Sequence, residues 1–116
     1  MTGSTNYHAG LAAEEAVARL YGGAGHAIAA TRWRGKGGEI DLIAEAEGCT
    51  VFVEVKRART HAEAAQRLGE RQIARLHACA AEYMGTLPDG LLSDVRFDVA
   101  LVDDAGRVEI VENALH

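Results

Sequence analysis

Asp41 is followed, after twelve intervening residues, by Glu54-Val55-Lys56. Two carboxylates and a lysine two positions beyond the second are the residue types that metal-assisted hydrolysis of a phosphodiester requires. A divalent metal polarises the phosphoryl oxygen and lowers the pKa of an attacking water. Hard Mg²⁺ takes oxygen ligands, commonly one or two carboxylates completed by waters and substrate phosphate. Asp41 and Glu54 supply such oxygens, with the Val55 carbonyl a candidate third. An ammonium at Lys56 would orient or deprotonate the water and stabilise charge on a phosphorane-like transition state. Spacing alone is a weak signal; its position on two adjacent strands strengthens it.

Those strands are written in the sequence. Residues 38–44 and 49–57 are rich in Val, Ile, Leu and Phe and flank an acidic, Gly-containing break, which predicts a β-hairpin. Alternation places Ile40, Leu42, Ala44, Val51, Val53 and Val55 on one apolar face. Glu39, Asp41, Ile43, Phe52, Glu54 and Lys56 take the other. With Glu47-Gly48 as the turn, Ile43 opposes Phe52, Asp41 opposes Glu54 and Glu39 opposes Lys56. Like charges directly opposed about 5 Å apart are destabilising, so Asp41 against Glu54 calls for a cation between them. Glu39 with Lys56 reads equally as a cross-strand ion pair of small energy.

The rest of the chain supplies the supports. Residues 1–7 are small and polar and read as a flexible terminus. An Ala-rich helix is predicted over 8–21, ended by Gly22-Gly23, and a strand over 26–33. Residues 35–38, three of them glycine, form a connection that either approaches a ligand closely or is a turn. A long helix is predicted over 61–84, with Thr60 as N-cap and Glu63 completing a capping box. Arg67, Arg71 and Arg75 run along the border of its apolar arc, and Gln72 lies inside it. Strands over 96–102 and 107–111 follow, joined by Asp103-Asp104-Ala105-Gly106. The order is α-β-β-β-α-β-β. With apolar residues on both hairpin faces, it predicts an α/β domain over 8–116, one mixed sheet flanked by helices on both sides.

Composition narrows the function classes. The 116 residues suit one domain, 48% hydrophobic, with a single proline. No apolar run reaches the roughly 18 residues of a membrane span, and residues 1–10 lack a secretory signal, so no membrane association is expected. Cys49 and Cys79 are far apart and outside any C-x-x-C pair, which predicts free thiols in a reducing cytoplasm. The net charge of −5 argues against a simple nucleic-acid-coating protein. Its distribution is uneven. Residues 32–75 hold nine basic and seven acidic residues, a net of +2, whereas from Glu82 onward eight acids face two arginines. The middle of the chain either faces a polyanion or is ordinary solvated surface.

The spacing of Asp41, Glu54 and Lys56 is that of the PD-(D/E)xK nuclease motif, with Ile40-Asp41 in place of Pro-Asp. Gly38-Glu39-Ile40-Asp41-Leu42-Ile43-Ala44, Val51 to Lys56, Arg96-Phe97-Asp98-Val99 and Glu112-Asn113-Ala114 resemble the YraN-like family of uncharacterised bacterial proteins. The likeness runs from about Gly10 to Ala114. It implies a restriction-endonuclease-like core akin to archaeal Holliday-junction resolvases, and hence a Mg²⁺- or Mn²⁺-dependent nuclease acting on DNA, including branched or junction DNA. By the same analogy it implies a homodimer. Asp41 and Glu54 would bind metal, Lys56 would serve the water and transition state, and Glu14, matching the acidic residue of the family's first helix, would assist through a metal-bound water. Gln72 matches a glutamine usually preceded by Lys; here Arg71 keeps the charge. Ala13 replaces a glycine common before the helix glutamate.

Each supporting residue has a plainer alternative. Glu14 is otherwise a solvated helix charge. Arg57 and Arg59 are phosphate contacts or a solvated strand end. Gln72 is an active-site group, supported with Arg71, or a satisfied core amide. Trp33 stacks on a base or belongs to the core. A non-catalytic nucleic-acid-binding or adaptor protein that keeps the fold is the rival functional class; the intact Asp/Glu/Lys set argues for the enzyme.

Overall fold

A computed structural model describes residues 2–115, with side chains over 8–115. The chain runs α1 (Thr2–Gly23), β1 (Ala27–Gly35), β2 (Gly38–Ala46), β3 (Cys49–Arg57), α2 (His61–Gln66), α3 (Glu70–Met84), a 3-10 turn (Gly90–Leu92), β4 (Val95–Val102) and β5 (Val108–Val111). One five-stranded sheet is ordered β1-β2-β3-β4-β5. β3 and β4 are parallel and the other neighbours antiparallel. A parallel pair needs a long crossover, and α2 and α3 are that crossover. The mixed sheet and two-sided helix cover agree with the sequence expectation.

Two cores follow from the two faces. On one, Ile40, Ile43, Phe52, Val99 and Leu101 pack with Ala64, Leu76, Cys79, Ala80 and Met84 of α2 and α3. On the other, Leu42, Ala44, Val51, Val53, Ala100 and Val102 pack with Ala13, Val17 and Tyr21 of α1. Trp33 belongs to the first core and meets Tyr83 edge-on at 5.4 Å, so the alternative in which it stacks on a base is set aside.

Several boundaries differ from those read in the sequence. α1 begins at Thr2 rather than His8, although the side chains of 2–7 fall outside those described. Its stop is Gly25, not Gly22-Gly23. The His26 N–H reaches the Tyr21 carbonyl at 3.0 Å and the Gly25 N–H the Gly22 carbonyl at 3.1 Å. That pairing needs a left-handed residue, supplied by Gly25 at φ 96°. The long helix over 61–84 is two helices. Gly69 adopts an extended conformation and starts α3 afresh, so Arg67 lies in the break and the Arg67/Arg71/Arg75 row is interrupted. Thr60 caps α2 through the Glu63 N–H at 3.1 Å. Glu63 does not return the bond, because its carboxylate is held by Arg59 at 2.7 Å.

Asp98 anchors α1 to the sheet. Its fully buried carboxylate accepts from the Tyr21 hydroxyl at 2.6 Å, from Arg96 twice at 2.9 Å and from the Asn113 N–H at 2.9 Å. A buried charge is tolerable only when paired and hydrogen-bonded in this way. The network raises the Tyr21 phenol well above its usual range, first by burial and then by the bond to Asp98. Tyr21→Phe removes one charge-assisted bond and is expected to cost about 1.5–3 kcal/mol. Asp98→Ala removes the acceptor shared by Tyr21, Arg96 and the Asn113 N–H, leaving Arg96 with Glu112 at 3.7 Å, and is expected to cost more, about 3 kcal/mol. Urea unfolding measures both, and equal small losses would mean that the network does not carry the packing of α1.

Candidate functional site

The hairpin closes as its sequence dictates at the turn. Glu47 (φ 51°) and Gly48 (φ 80°) both take left-handed backbone, the geometry of a two-residue type I′ turn. From there Ala46 pairs with Cys49, Ile43 with Phe52 and Leu42 with Val53. Beyond Leu42 and Val53 the pairing stops. The expected ladder pairs Asp41–Glu54 and Glu39–Lys56 are not made. Instead, β2 continues along β1, with Trp33 opposite Ile40 and Arg34 opposite Glu39, while β3 continues along β4, with Glu54 opposite Val99 and Lys56 opposite Leu101. The two strands fork, and the chemistry-bearing residues stand in the fork.

Asp41 occupies the fork by a break in alternation. Ile40 packs in the α2/α3 core and Leu42 in the α1 core, so the expected single apolar face of Ile40, Leu42 and Ala44 is split. The strand changes face between them, and Asp41 is the residue at the change. Opposite it in register, between the pairs Thr31–Leu42 and Trp33–Ile40, lies Arg32, whose backbone is left-handed at φ 51°. A non-glycine residue held there in mid-strand carries about 1–3 kcal/mol of strain. The Asp41 carboxylate turns toward β3, where its Oδ2 accepts the Val55 N–H at 2.8 Å. A side chain thus takes the hydrogen bond that the diverging ladder no longer provides.

The three central residues come together. The Asp41 carboxyl lies close enough to Glu54 for Glu54 to raise it, and Lys56 Nζ lies 3.4 Å from Glu54 Oε2. Glu54 is only 9% exposed. Burial first, then the bond to Glu54 and its charge, push the Asp41 carboxyl up to about 7, against the opposing pull of the Val55 N–H and Lys56. The pair is short of positive charge. Among the described residues, no three or more His, Cys, Asp or Glu side chains gather as a metal cage. One or two carboxylates are the ordinary protein share at a Mg²⁺ ion, and a neighbouring pair whose charges oppose each other fits that share.

The supporting residues divide. Glu14 on α1 is drawn to the site: Asp41 and Glu39 both raise its carboxyl, after burial as the leading cause, and Arg32 lowers it. Arg32 Nε meets Glu14 Oε1 at 2.8 Å. Glu39 pairs with Arg34 instead of Lys56. Arg57 lines a cleft of about 220 Å³ with Ala9, Ala12, Ala13 and Ala16 of α1. Arg59 is tied to Glu63, and Arg71 stands exposed on the first turn of α3. Gln72 is not a satisfied core amide, because its Oε1 is buried without a hydrogen-bond partner among the described residues. Sequence reasoning passed over Arg32. The signal was an arginine, on a strand predicted to neighbour the hairpin, at a position that only the pairing register brings opposite Asp41.

A family model described as uncharacterised protein family UPF0102 matches residues 13–102. The chain belongs to that family, the YraN-like proteins. A UPF0102 protein of Cereibacter sphaeroides is 54% identical over 114 residues, covering 98% of this chain and 97% of the relative. One of Ruegeria pomeroyi is 56% identical over 112 residues, covering 97% and 91%. A third, of Roseobacter denitrificans, is 50% identical over 113 residues, covering 97% and 88%. The matched segment of the UPF0102 chain contains Glu14, Asp41, Glu54, Lys56 and Gln72.

The raised carboxyl has a measurable consequence. Asp41 is pushed from 3.8 to about 7, so between those values the folded state holds a proton that the unfolded state releases. The stability this contributes is complete below pH 3.8 and is lost as pH rises through about 7, by up to about 1.4 kcal/mol per pH unit. Asp41→Asn is therefore expected to be more stable than wild type at pH 8, with the difference shrinking toward pH 4. Melting temperatures from pH 4 to 8 test this, and parallel curves for the two proteins would refute the charge deficit.

Proposed function

We propose that this UPF0102 protein is a divalent-metal-dependent nuclease that hydrolyses phosphodiester bonds of DNA, branched or junction DNA included, on a restriction-endonuclease-like core. The observation that carries the reading is the fork. Two neighbouring carboxyls that act on each other, with a lysine beside them, occupy the point where β2 and β3 part. An ordinary structural site would not gather acids there at a cost in stability, whereas a metal site requires it. Bound Mg²⁺ or Mn²⁺ would supply a Lewis acid for the phosphoryl oxygen and a lowered pKa for water.

In this mechanism Asp41 and Glu54 would hold the ion. The Val55 N–H fixes the orientation of Asp41, and the ion pair with Glu54 at 3.4 Å keeps the Lys56 ammonium beside it. Lys56 then sets a positive charge against the developing negative charge of the phosphoryl group and takes or orients the proton of the attacking water. Glu14 stands at the α1 side of the same fork and holds water there. Gln72 offers an amide whose oxygen is buried without a hydrogen-bond partner among the described residues. Free thiols at Cys49 and Cys79 fit a reducing cytoplasm as the setting. Among the described residues, no helix is long and apolar enough to cross a membrane. The analogy with junction resolvases adds a homodimer to the proposal.

One observation favours the rival, a non-catalytic adaptor. Leu91 and Leu92 at the 3-10 turn remain 70% and 89% exposed, an apolar surface that a partner would cover. Cleavage separates the two. Labelled linear duplex, single strand, flap and four-way junction are incubated in Mg²⁺, Mn²⁺ or EDTA with wild type, Asp41→Asn and Lys56→Ala. Metal-dependent cutting reduced by roughly 100-fold or more in both variants is expected. Cutting that persists in both would remove the site assignment, and binding without any cutting would establish the adaptor.

A further inference from the structure

Arg32 stands across β1 and β2 from Asp41, on a strand whose other flank has no neighbour in the sheet. The residue holds a left-handed backbone in mid-strand, which L side chains adopt rarely, and this geometry accompanies the change of face that delivers Asp41 to β3. Its side chain crosses to α1 and rests on Glu14 at 2.8 Å, with the two side chains 40% and 21% exposed. A partly solvated carboxylate is a weak hold on an arginine. The planar fork of a guanidinium suits the paired oxygens of a phosphate.

We propose that Arg32 is the phosphate-gripping residue of this site, resting on Glu14 in the free protein and transferring to a DNA backbone phosphate at the fork, which releases Glu14 toward Asp41. The inference rests on the nuclease reading and adds to it a contact that switches partners. The arginines singled out by spacing are placed less well for this role. Arg57 lines the cleft beside α1, Arg59 lies past the end of β3 beside Glu63 of α2, and Arg71 lies on α3. Glu14 in turn has acidic neighbours in Asp41 and Glu39, so Arg32 is the cation that makes its position tolerable before substrate arrives.

Binding in EDTA tests the exchange without cleavage, by anisotropy of a fluorescein-labelled DNA duplex and four-way junction over a salt series. Arg32→Gln is expected to weaken binding about tenfold and to lower the slope of log K against log salt by about one ion. Arg32→Gly, which accepts the left-handed backbone freely, is expected to show the same loss while melting within a few degrees of wild type, a result that a purely structural ion pair would not give. Glu14→Gln removes the carboxylate on which the arginine rests and is expected to tighten binding several-fold, more than Glu15→Gln, and the gain is expected to vanish in the double variant with Arg32→Gln. Unchanged affinity and salt slope in both Arg32 variants would overturn the assignment, as would a Glu14→Gln gain that survives loss of Arg32. Wild type that binds neither DNA at any salt would overturn the nuclease reading and this contact with it.

Discussion

The hydrogen bond from the Val55 N–H to the Asp41 carboxylate is the constraint on which the site depends. Two antiparallel strands cannot diverge without leaving backbone donors and acceptors unpaired, and such groups are costly when buried. Here a side chain stands in for the missing ladder partner, so β3 can leave β2 and pair with β4. The substitution requires an acceptor of the right length at the face change between Ile40 and Leu42. The residue that holds the fork open is the residue proposed to hold the metal, so structure and chemistry draw on one carboxylate.

Charge in the fork is arranged against stability. Asp41 and Glu54 share a site that suits one negative charge, and Glu14 adds a third acid nearby. Lys56 and Arg32 offset part of this from opposite sides, one along β3 and one across β1. Stability is recovered elsewhere. Tyr21 lies seven residues, about two helical turns, beyond Glu14 on α1, and its hydroxyl is bound to buried Asp98. The Asp98 network therefore holds the helix face that presents Glu14, in addition to filling the second core. A strained arginine, a crowded acid pair and a compensating buried network form a pattern expected where function sets the local chemistry.

Much of this was legible in the sequence because it rests on short-range rules. Period-two alternation located the central hairpin, Glu47-Gly48 defined its turn, Thr60 its helix cap, and the alternating order of helices and strands the mixed two-sided sheet. The carboxylate pair and its lysine were recognisable because their spacing on one hairpin restricts where they can stand. Where a reading failed, a single glycine decided the outcome: Gly25, two residues past Gly23, completed the α1 stop, and Gly69 divided the helix over 61–84.

The sequence by itself determined which residues are strand, which are turn, and that Asp41, Glu54 and Lys56 belong to one hairpin, since these follow from local propensity and alternation. Tertiary structure alone decided that the hairpin forks. It set Glu39 against Arg34, left the Gln72 amide oxygen buried without a partner among the described residues, and brought Arg32 and Glu14 to Asp41. The reason is physical: a strand pairs with whichever neighbour the whole sheet offers. β1 holds the outer edge of β2 and β4 the outer edge of β3, so each strand stays paired where the ladder between them ends beyond Leu42 and Val53.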